Sequence, residues 1–290
     1  MIEQAQRAEA EGFSALWYPS AVAGDPVAPM AVVGRETTTI ELGTSVLQTY
    51  TSHPVLQVNR VASAAFAMGR PGFTLGIGPS HAPVIEGVYG MDYSRVGENT
   101  EEYVAILAAL LRGDRVDVTG EQISLHGVVP AALPYPVGVL VAALAPRLLR
   151  VAGTHTDGTI LWMGNARAIE SHVAPRLGKA AADAGRPAPR IVAGLPVAVH
   201  DDVDEAREAA AQQFAIYGQL PNYQRILEHG GVSGPAEAAI VGDEAAVAAQ
   251  LQGLLDAGAT DLWTAIFPVG DDKSGSRRRT RALLQELAVS

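Results

Sequence analysis

The sequence predicts a parallel α/β fold of the (β/α)8 TIM-barrel class, and two observations indicate it. Short runs of Val, Ile and Leu without alternating polar residues recur along the chain, as expected for parallel strands covered on both faces. Longer amphipathic stretches separate these runs, and alternating strands and helices build a parallel sheet. A doubly wound open sheet is the alternative, but no strand–G-x-G-x-x-G–helix unit lies near the start of the chain.

The predicted elements follow one another in a regular order. The strands are predicted over residues 15–18, 40–47, 73–77, 137–144, 159–163, 191–199 and 262–267. The helices are predicted over residues 2–11, 54–68, 99–111, 146–152, 166–184, 202–217 and 244–257. Asp243 is a typical helix N-cap and Gly12 a typical C-terminal glycine. A barrel needs eight strands and this sequence opens on a helix, so we expect the first barrel strand to be missing from the given chain.

The whole chain, residues 1–290, is predicted to form a single barrel domain with two insertions. Residues 113–136 hold two short β-like runs around the turn at Gly120, and they are predicted to form a surface hairpin. Residues 221–235 hold a short helical piece that ends at Gly230-Gly231. Segments inserted before a late strand often serve as lids or oligomer contacts.

Composition excludes several classes of protein. The chain has 21 Lys and Arg against 31 Asp and Glu, with 48% hydrophobic residues and no Cys. This apolar content is too high for a disordered chain, and the acidic balance argues against binding to nucleic acid. The lack of Cys excludes disulfides, thiol nucleophiles and thiolate metal sites. No apolar run approaches the length of a membrane span, and no secretory signal is visible, so we expect a cytoplasmic protein without a membrane partner.

The residues that follow the predicted strands are poor in ionisable groups. In a barrel these positions form the active site. They hold no carboxylate pair of the glycosidase kind, no H-E-x-x-H or H-x-H motif, no G-x-S-x-G elbow and no P-loop. We therefore expect no metal site. Small residues, backbone and apolar walls suit a flat aromatic cofactor that brings its own reactivity.

The segment 73–81 is the clearest candidate for contact with such a cofactor. Gly76 and Gly78 would let the backbone approach a ligand closely, and Ser80 can donate a hydrogen bond to a phosphate. The alternative is that these glycines only allow close packing at a strand end.

Six short motifs then indicate a family. They are Gly43-Thr-Ser-Val-Leu47, Leu75-Gly-Ile-Gly78, Leu110-Leu-Arg-Gly-Asp114, Ala142-Ala-Leu-Ala-Pro146, Gly153 with Asp157-Gly158, and Ile240-Val-Gly-Asp243. In this order the chain resembles the luciferase-like flavin and deazaflavin enzymes, and most closely the branch that uses coenzyme F420. The resemblance implies a (β/α)8 barrel with a hairpin before the fifth strand, a small-molecule substrate and a homodimer.

The resemblance also implies the cofactor site. It places a non-proline cis peptide bond at Ser45-Val46, against the face of the deazaflavin. The cofactor's phosphate would meet Gly78-Pro79-Ser80 after the fourth strand and the backbone of Ala143-Leu144-Ala145 after the fifth. Arg147 would add a positive charge at the start of the next helix, although it can equally be an ordinary surface arginine. An anionic cofactor on an acidic protein needs local cations, and Arg70, Arg95, Arg147 and Arg277 are the candidates.

One departure from the family bears on the reaction. Relatives that oxidise sugar phosphates have Asp-His where this chain has Ser20-Ala21, and a lysine where it has Asn165. We therefore infer that the chain does not oxidise a sugar phosphate. Reduction of a C=C or C=N bond by the reduced cofactor needs less assistance, with a proton from His81, Tyr50 or water. An FMN-dependent monooxygenase and a catalytically silent cofactor-binding barrel remain the alternatives.

Overall fold

The computed structural model describes residues 1–20, 24–129 and 132–289. Ala21 of the Ser20-Ala21 pair and residues 130–131 of the hairpin insertion lie outside the described residues. The chain divides into two compact units. Unit 1 comprises Met1–Gly158 and Ala180–Pro189, and unit 2 comprises Thr159–Lys179 and Arg190–Ser290. The single domain expected over residues 1–290 stays a prediction.

The strands and helices alternate along the described residues. The strands are β1 (Ala15–Tyr18), β2 (Glu41–Thr44), β3 (Leu47–Gln48), β4 (Phe73–Gly78), β5 (Val116–Val118), β6 (Leu125–Val128), β7 (Val137–Val141), β8 (Gly158–Trp162), β9 (Arg190–Val199), β10 (Ile240–Gly242) and β11 (Asp261–Ile266). The helices before β8 are α1 (Ile2–Ala10), α2 (Val27–Arg35), α3 (Pro54–Met68), α4 (Ala82–Ile85), α5 (Val96–Leu111) and α6 (Pro146–His155).

The helices after β8 are α7 (Ala166–Ala168), α8 (Ala174–Asp183), α9 (Val203–Gln213), α10 (Pro221–His229), α11 (Pro235–Ala238), α12 (Glu244–Asp256) and α13 (Lys273–Val289). A π-helical segment, Ile169–Val173, joins α7 to α8, and a 3-10 helix, Ala215–Gln219, follows α9. Within the described ranges, no helix combines the length and the apolar character needed to cross a membrane.

Unit 1 is built on a parallel sheet with the strand order β1, β2, β4, β7. The short β3 also pairs with β4, which sets Leu47 and Gln48 beside Ile77 and Gly78. Every residue of β4 is buried, and this explains its apolar sequence without polar alternation. β5 and β6 form the antiparallel hairpin predicted within residues 113–136.

Unit 2 is built around β9, of which all but the first residue are buried. β9 pairs in parallel with β10 and with β11, and β8 is its further neighbour. The insertion predicted at residues 221–235 contains α10, and α11 begins at its last residue. The predicted parallel α/β arrangement is therefore present in each unit.

The structure corrects several predicted boundaries. The strand predicted over residues 40–47 is divided into β2 and β3, and the helix predicted over residues 166–184 is divided by the π-helical segment. The prediction omitted α2, which contains Pro29 and Gly34, two residues that are unfavourable in helices, so that packing rather than local propensity determines it. It also omitted β10, which has only three residues.

Two helix ends agree with their predicted signals. The Asp243 carboxylate accepts a hydrogen bond from the Ala246 N–H at 2.8 Å, which confirms it as the N-cap of α12. Gly12 follows α1 with a φ of +86°, as expected for a C-terminal glycine.

A carboxylate joins α1 to the start of β2 in unit 1. The Glu9 Oε1 atom accepts hydrogen bonds from the backbone N–H groups of Thr38, Thr39 and Ile40, at 2.9, 2.6 and 2.9 Å. Partial burial alone would raise the pKa of the Glu9 carboxyl, but these backbone donors, together with the Thr39 hydroxyl, outweigh it and lower the pKa to about 2. Glu9 is therefore an ionised acceptor at neutral pH.

Candidate functional site

The connection between β2 and β3 carries the cis peptide bond predicted at Ser45-Val46. Hydrogen bonds to β1 and to β4, the two strands that flank β2, hold the residues just before this bond. The Ser45 N–H donates to the carbonyl of Tyr18 at 2.9 Å. The buried Thr44 hydroxyl donates to the Gly76 carbonyl at 2.7 Å and accepts from the Gly76 N–H at 2.9 Å. A reciprocal pair of bonds between Thr44 and Gly76 therefore joins the end of β2 to β4.

The two glycines of β4 allow this close approach. A Cβ atom on Gly76 would overlap with the Thr44 carbonyl oxygen, and one on Gly78 would lie 3.0 Å from Val46 Cγ2 and 2.9 Å from Ala142 Cβ. Both glycines therefore allow close packing of neighbouring strands, and contact of Gly78 with a cofactor stays a prediction. At Gly76 the backbone approaches Thr44 rather than open space.

The loop after β4 contains the predicted phosphate-binding residues. Pro79 is buried and Ser80 is partly exposed. Ser80 has a φ of +64°, in the left-handed region, which costs a non-glycine residue about 1–3 kcal/mol and is found most often at functional sites. The Tyr93 hydroxyl donates to the Ser80 carbonyl at 2.6 Å. Tyr93 was not among the predicted site residues, and it lies between predicted elements where no pattern marks it.

The two predicted proton donors lie on adjoining loops. The loop after β3 is joined to β4 by the Thr49 N–H, which donates to the Gly78 carbonyl at 3.0 Å. Burial, together with the negative charges of Asp92 and Glu86, raises the pKa of Tyr50, so its hydroxyl is protonated at neutral pH. Burial lowers the pKa of His81, so its imidazole is mainly neutral there.

The loop after β7 leads into α6 with little side-chain bulk. Ala143 is fully buried, Leu144 and Ala145 are partly exposed, and the Ala142 N–H donates to the Ile77 carbonyl at 2.8 Å. Ala145 is the N-cap of α6 and makes no side-chain cap bond, so the first turn of this helix receives no acceptor from its cap residue.

Arg147 stands in the first turn of α6 and is part of a charged trio. Its Nε donates to Glu101 Oε2 at 2.8 Å, and Arg150 Nη2 donates to Glu101 Oε1 at 3.0 Å. Both guanidinium groups are about half exposed, at 46% and 57% for the side chains of Arg147 and Arg150. One carboxylate shared by two guanidinium groups leaves one positive charge unbalanced beside the helix N-terminus.

The other predicted cations differ in availability. The Arg70 guanidinium donates to the carbonyls of Gly34, Thr37 and Ile40, so it holds the backbone and is not available to an anion. Arg95 is paired with Glu98. Arg277 is exposed, in α13 of unit 2.

Three buried polar atoms at the carboxyl ends of β1 and β3 have no hydrogen-bond partner among the described residues. They are Tyr18 Oη, Gln48 Oε1 and Thr49 Oγ1. Buried polar groups are nearly always hydrogen-bonded in proteins, so this concentration at one edge of the unit 1 sheet is unusual. The three atoms are two hydroxyls and an amide oxygen that a polar ligand could contact.

The positions that differ from the sugar-phosphate-oxidising pattern have structural roles here. The Ser20 hydroxyl donates to the Gly24 carbonyl at 3.2 Å. In unit 2, Asn165 caps α7 by accepting from the Ala168 N–H at 3.0 Å and donates to the Gly230 carbonyl at 3.1 Å. Neither side chain supplies a charge or an acid–base pair.

Aromatic packing in unit 2 surrounds Trp162 at the end of β8. Its ring centroid lies 5.0 Å from that of Trp263, 5.7 Å from that of Tyr217 and 6.1 Å from that of Phe214. No group of three His, Asp or Glu residues among residues 1–20, 24–129 and 132–289 is placed to hold a metal ion.

Comparison with known proteins identifies relatives over the whole length. The family model for luciferase-like monooxygenases matches residues 1–289. The chain is 25% identical to the 5,10-methylenetetrahydromethanopterin reductase of Methanolobus tindarius, over 82% of this chain and 73% of the relative. It is 29% identical to the F420-dependent glucose-6-phosphate dehydrogenase of Kineococcus radiotolerans, over 90% of this chain and 85% of the relative.

Solved structures confirm the predicted fold class, a luciferase-like (β/α)8 barrel. The F420-dependent tetrahydromethanopterin reductase of Methanopyrus kandleri matches with a TM-score of 0.76 at 20% identity, covering 98% of this chain and 93% of that one. A type II Baeyer–Villiger monooxygenase of Pseudomonas putida, in complex with FMN, matches with a TM-score of 0.73 at 15% identity, covering 98% and 90%.

Proposed function

Because this chain belongs to the luciferase-like monooxygenase family, we propose that it is an F420-dependent oxidoreductase. In this proposal a hydride passes between C5 of the deazaflavin and a small organic substrate, with reduction of a C=C or C=N bond as the reaction. The class of oxidoreductase follows from the family and its relatives. The choice of F420 over FMN and the reaction are our proposals.

The observation that carries the proposal is the set of unpartnered buried polar atoms at one edge of the unit 1 sheet. The pyrimidine edge of a flavin or deazaflavin alternates carbonyl oxygens and N–H groups. Tyr18 Oη and Thr49 Oγ1 can each donate or accept, and Gln48 Oε1 accepts. These residues fit such an edge, and a bound ring would remove the cost of leaving them unpaired.

A phosphate group fits the neighbouring loops. Ser80 offers a hydroxyl, and the first turn of α6 after Ala145 offers backbone N–H groups that favour an anion. The unbalanced positive charge of the trio Arg147, Arg150 and Glu101 acts in the same direction. These features support a cofactor that carries a phosphate, and both F420 and FMN do.

The residues of this chain would complete the reaction by supplying a proton. F420, when bound in its reduced form, supplies the hydride from C5. The Tyr50 hydroxyl, whose pKa is raised by burial and by the charges of Asp92 and Glu86, and the His81 imidazole, whose pKa is lowered by burial, are the two side chains that could deliver this proton, with water as the alternative. Ser20 and Asn165 supply no acid–base pair and no charge, which argues against oxidation of a sugar phosphate.

The test is a titration of purified protein with F420 and with FMN, followed by changes in cofactor absorbance and fluorescence. We expect F420 to bind at one site per chain, and reduced F420 to be oxidised in the presence of an enoate or imine substrate. Tight binding of FMN without a response to F420 would instead support the monooxygenase alternative, which the FMN-containing structural neighbour favours. Binding without turnover of any substrate would support a catalytically silent barrel.

We also propose a cytoplasmic homodimer. Val32 on α2 and Leu56 and Phe66 on α3 are large apolar side chains that are 53%, 61% and 75% exposed. Exposed apolar side chains on two packed helices favour burial against another surface, here a second copy of this chain. Light scattering after size-exclusion chromatography measures the mass of the protein in solution and so tests the homodimer.

Two variants separate the contribution of Arg147 to cofactor binding from that of Arg150. Arg147→Gln is expected to weaken F420 binding about tenfold, because it removes the charge nearest the N-terminus of α6. Arg150→Gln is the matched control, since Arg150 shares Glu101 but lies one turn further along the helix, and it should change the affinity about twofold. Equal losses in the two variants, measured at low and at high salt, would contradict a specific contact by Arg147.

A further inference from the structure

Tyr93 joins the two loops that contain the candidate proton donor and the candidate phosphate site. Its hydroxyl donates to the Ser80 carbonyl at 2.6 Å, and its ring lies 5.4 Å from that of Tyr50 at an angle of 37°. Tyr93 lies between α4 and α5, on neither of these loops. All of these contacts are within unit 1.

The bond to Ser80 determines the direction of the next backbone donor. Because a peptide unit is planar, its C=O and the following N–H point in opposite directions. Holding the Ser80 carbonyl therefore also sets the direction of the His81 N–H. The same bond helps to retain Ser80 at its φ of +64°, a conformation that a serine adopts only when its surroundings hold it there.

The Tyr93 hydroxyl is suited to this role at any physiological pH. Burial, and to a lesser extent the neighbouring Tyr50 and Glu86, raise the pKa of Tyr93, so the hydroxyl stays protonated and remains a donor. The nearby Ser94 is held by Asp92, which accepts from its N–H at 2.8 Å and from its hydroxyl at 2.9 Å. These two bonds fix the local turn that carries Tyr93.

On the basis of the proposed cofactor site, we propose that Tyr93 is a positioning residue for the phosphate of the cofactor. It orients the Ser80–His81 peptide and the Ser80 hydroxyl, and it contacts the cofactor through neither its ring nor its hydroxyl. Loss of this one hydroxyl therefore weakens binding of the phosphate-bearing cofactor. It leaves binding of the phosphate-free ring system nearly unchanged.

The experiment compares two variants and two ligands. Tyr93→Phe removes the hydroxyl and keeps the ring against Tyr50. Tyr135→Phe is the matched control, because the Tyr135 hydroxyl also donates to a backbone carbonyl, that of Gly69, at 2.9 Å, but before β4, at the opposite end of that strand. The ligands are F420 and the free deazaflavin chromophore that lacks the phosphate and its tail, and the readout is the dissociation constant from fluorescence.

We expect Tyr93→Phe to raise the dissociation constant of F420 about five- to tenfold, as for the loss of one hydrogen bond, and that of the free chromophore less than twofold. Tyr135→Phe should change neither constant by more than about twofold, while both variants lower the melting temperature by similar amounts. A backbone-only role, in which Tyr93 merely stabilises the fold, predicts equal losses for both ligands and would overturn the inference.

Failure of the inference is distinguishable from failure of the proposed function. If the wild-type protein binds F420 and Tyr93→Phe shows no selective loss, the positioning role alone is wrong. If the wild-type protein binds FMN and riboflavin instead, the same comparison made with that pair decides the positioning role, while the F420 assignment is wrong. If no member of either pair binds, both proposals are wrong.

Discussion

Gly76→Ala is expected to lower the free energy of unfolding by about 3 kcal/mol or more and to abolish cofactor binding. The added methyl group would overlap with the Thr44 carbonyl oxygen and would lie 3.3 Å from Val46 Cγ1. The obstacle at Thr44 is backbone, so it cannot rotate away as a flexible side chain would. Any shift also breaks the reciprocal bonds between Thr44 and Gly76. Urea denaturation, with a parallel F420 and FMN titration, measures both effects.

Two further glycines supply a graded control for this result. Gly78→Ala places its methyl group 2.9 Å from Ala142 Cβ and 3.0 Å from Val46 Cγ2, contacts that are less severe than the overlap at Gly76, so we expect an intermediate loss of stability. Gly178→Ala lies in α8 with no atom within 4 Å, and it should stabilise the protein by up to about 1 kcal/mol. A Gly76→Ala variant as stable as the Gly178→Ala variant would contradict the described packing of β2 against β4.

Acid is expected to destabilise the protein through Glu9. The pKa of this carboxyl is about 2 in the folded protein, against an ordinary value of 4.5. A group with a lowered folded pKa contributes stability above its unfolded pKa, and that contribution is lost as the pH falls from about 4.5 towards 2. Because the side chain is partly exposed to solvent, we expect a contribution of about 1–2 kcal/mol rather than the full value implied by the shift. Urea denaturation between pH 7 and pH 3 measures it.

The Glu9→Gln variant identifies the source of this pH dependence. The amide keeps the size of the side chain but presents a neutral acceptor to the N–H groups of residues 38–40. The free energy of unfolding of the variant should therefore be about 1–2 kcal/mol lower than that of the wild-type protein at pH 7, and it should fall less than the wild-type value on acidification. Glu3→Gln is the control, because it removes the same charge from the first turn of the same helix. If Glu3→Gln and Glu9→Gln behave alike, the stabilisation arises from general charge effects and not from the three backbone donors.

Some parts of this fold could be predicted from the sequence and others could not. The strands β4 and β9 were predictable because a parallel strand that is buried on both faces is apolar throughout, and this property is visible in consecutive residues. The N-cap at Asp243 was predictable because a cap depends on residues within one turn. The cis bond at Ser45-Val46 was predictable only through the resemblance of its motif to a family.

The candidate site was predictable in outline. The loops after β3, β4 and β7 were predicted because parallel strands bring their carboxyl ends to one edge of a sheet. Which partner each side chain has was not predictable. Arg70 was one of four candidate cations for an anionic cofactor, yet it donates to backbone carbonyls of unit 1. A side chain's partner depends on what the fold places around it, and no local pattern contains that information.

By itself the sequence determined the parallel α/β class, most of its strands and helices, the family, and the scarcity of ionisable residues after the strands, because each is a property of neighbouring residues or of short motifs. Only the tertiary structure decided how those ends are held together. The Tyr93 bond to Ser80 joins residues 13 positions apart, the Thr44 bond to Gly76 joins residues 32 apart, and the Arg147 pair with Glu101 joins residues 46 apart. Hydrogen bonds and ion pairs act over about 3 Å in space whatever the separation along the chain, so these contacts exist only once the chain has folded.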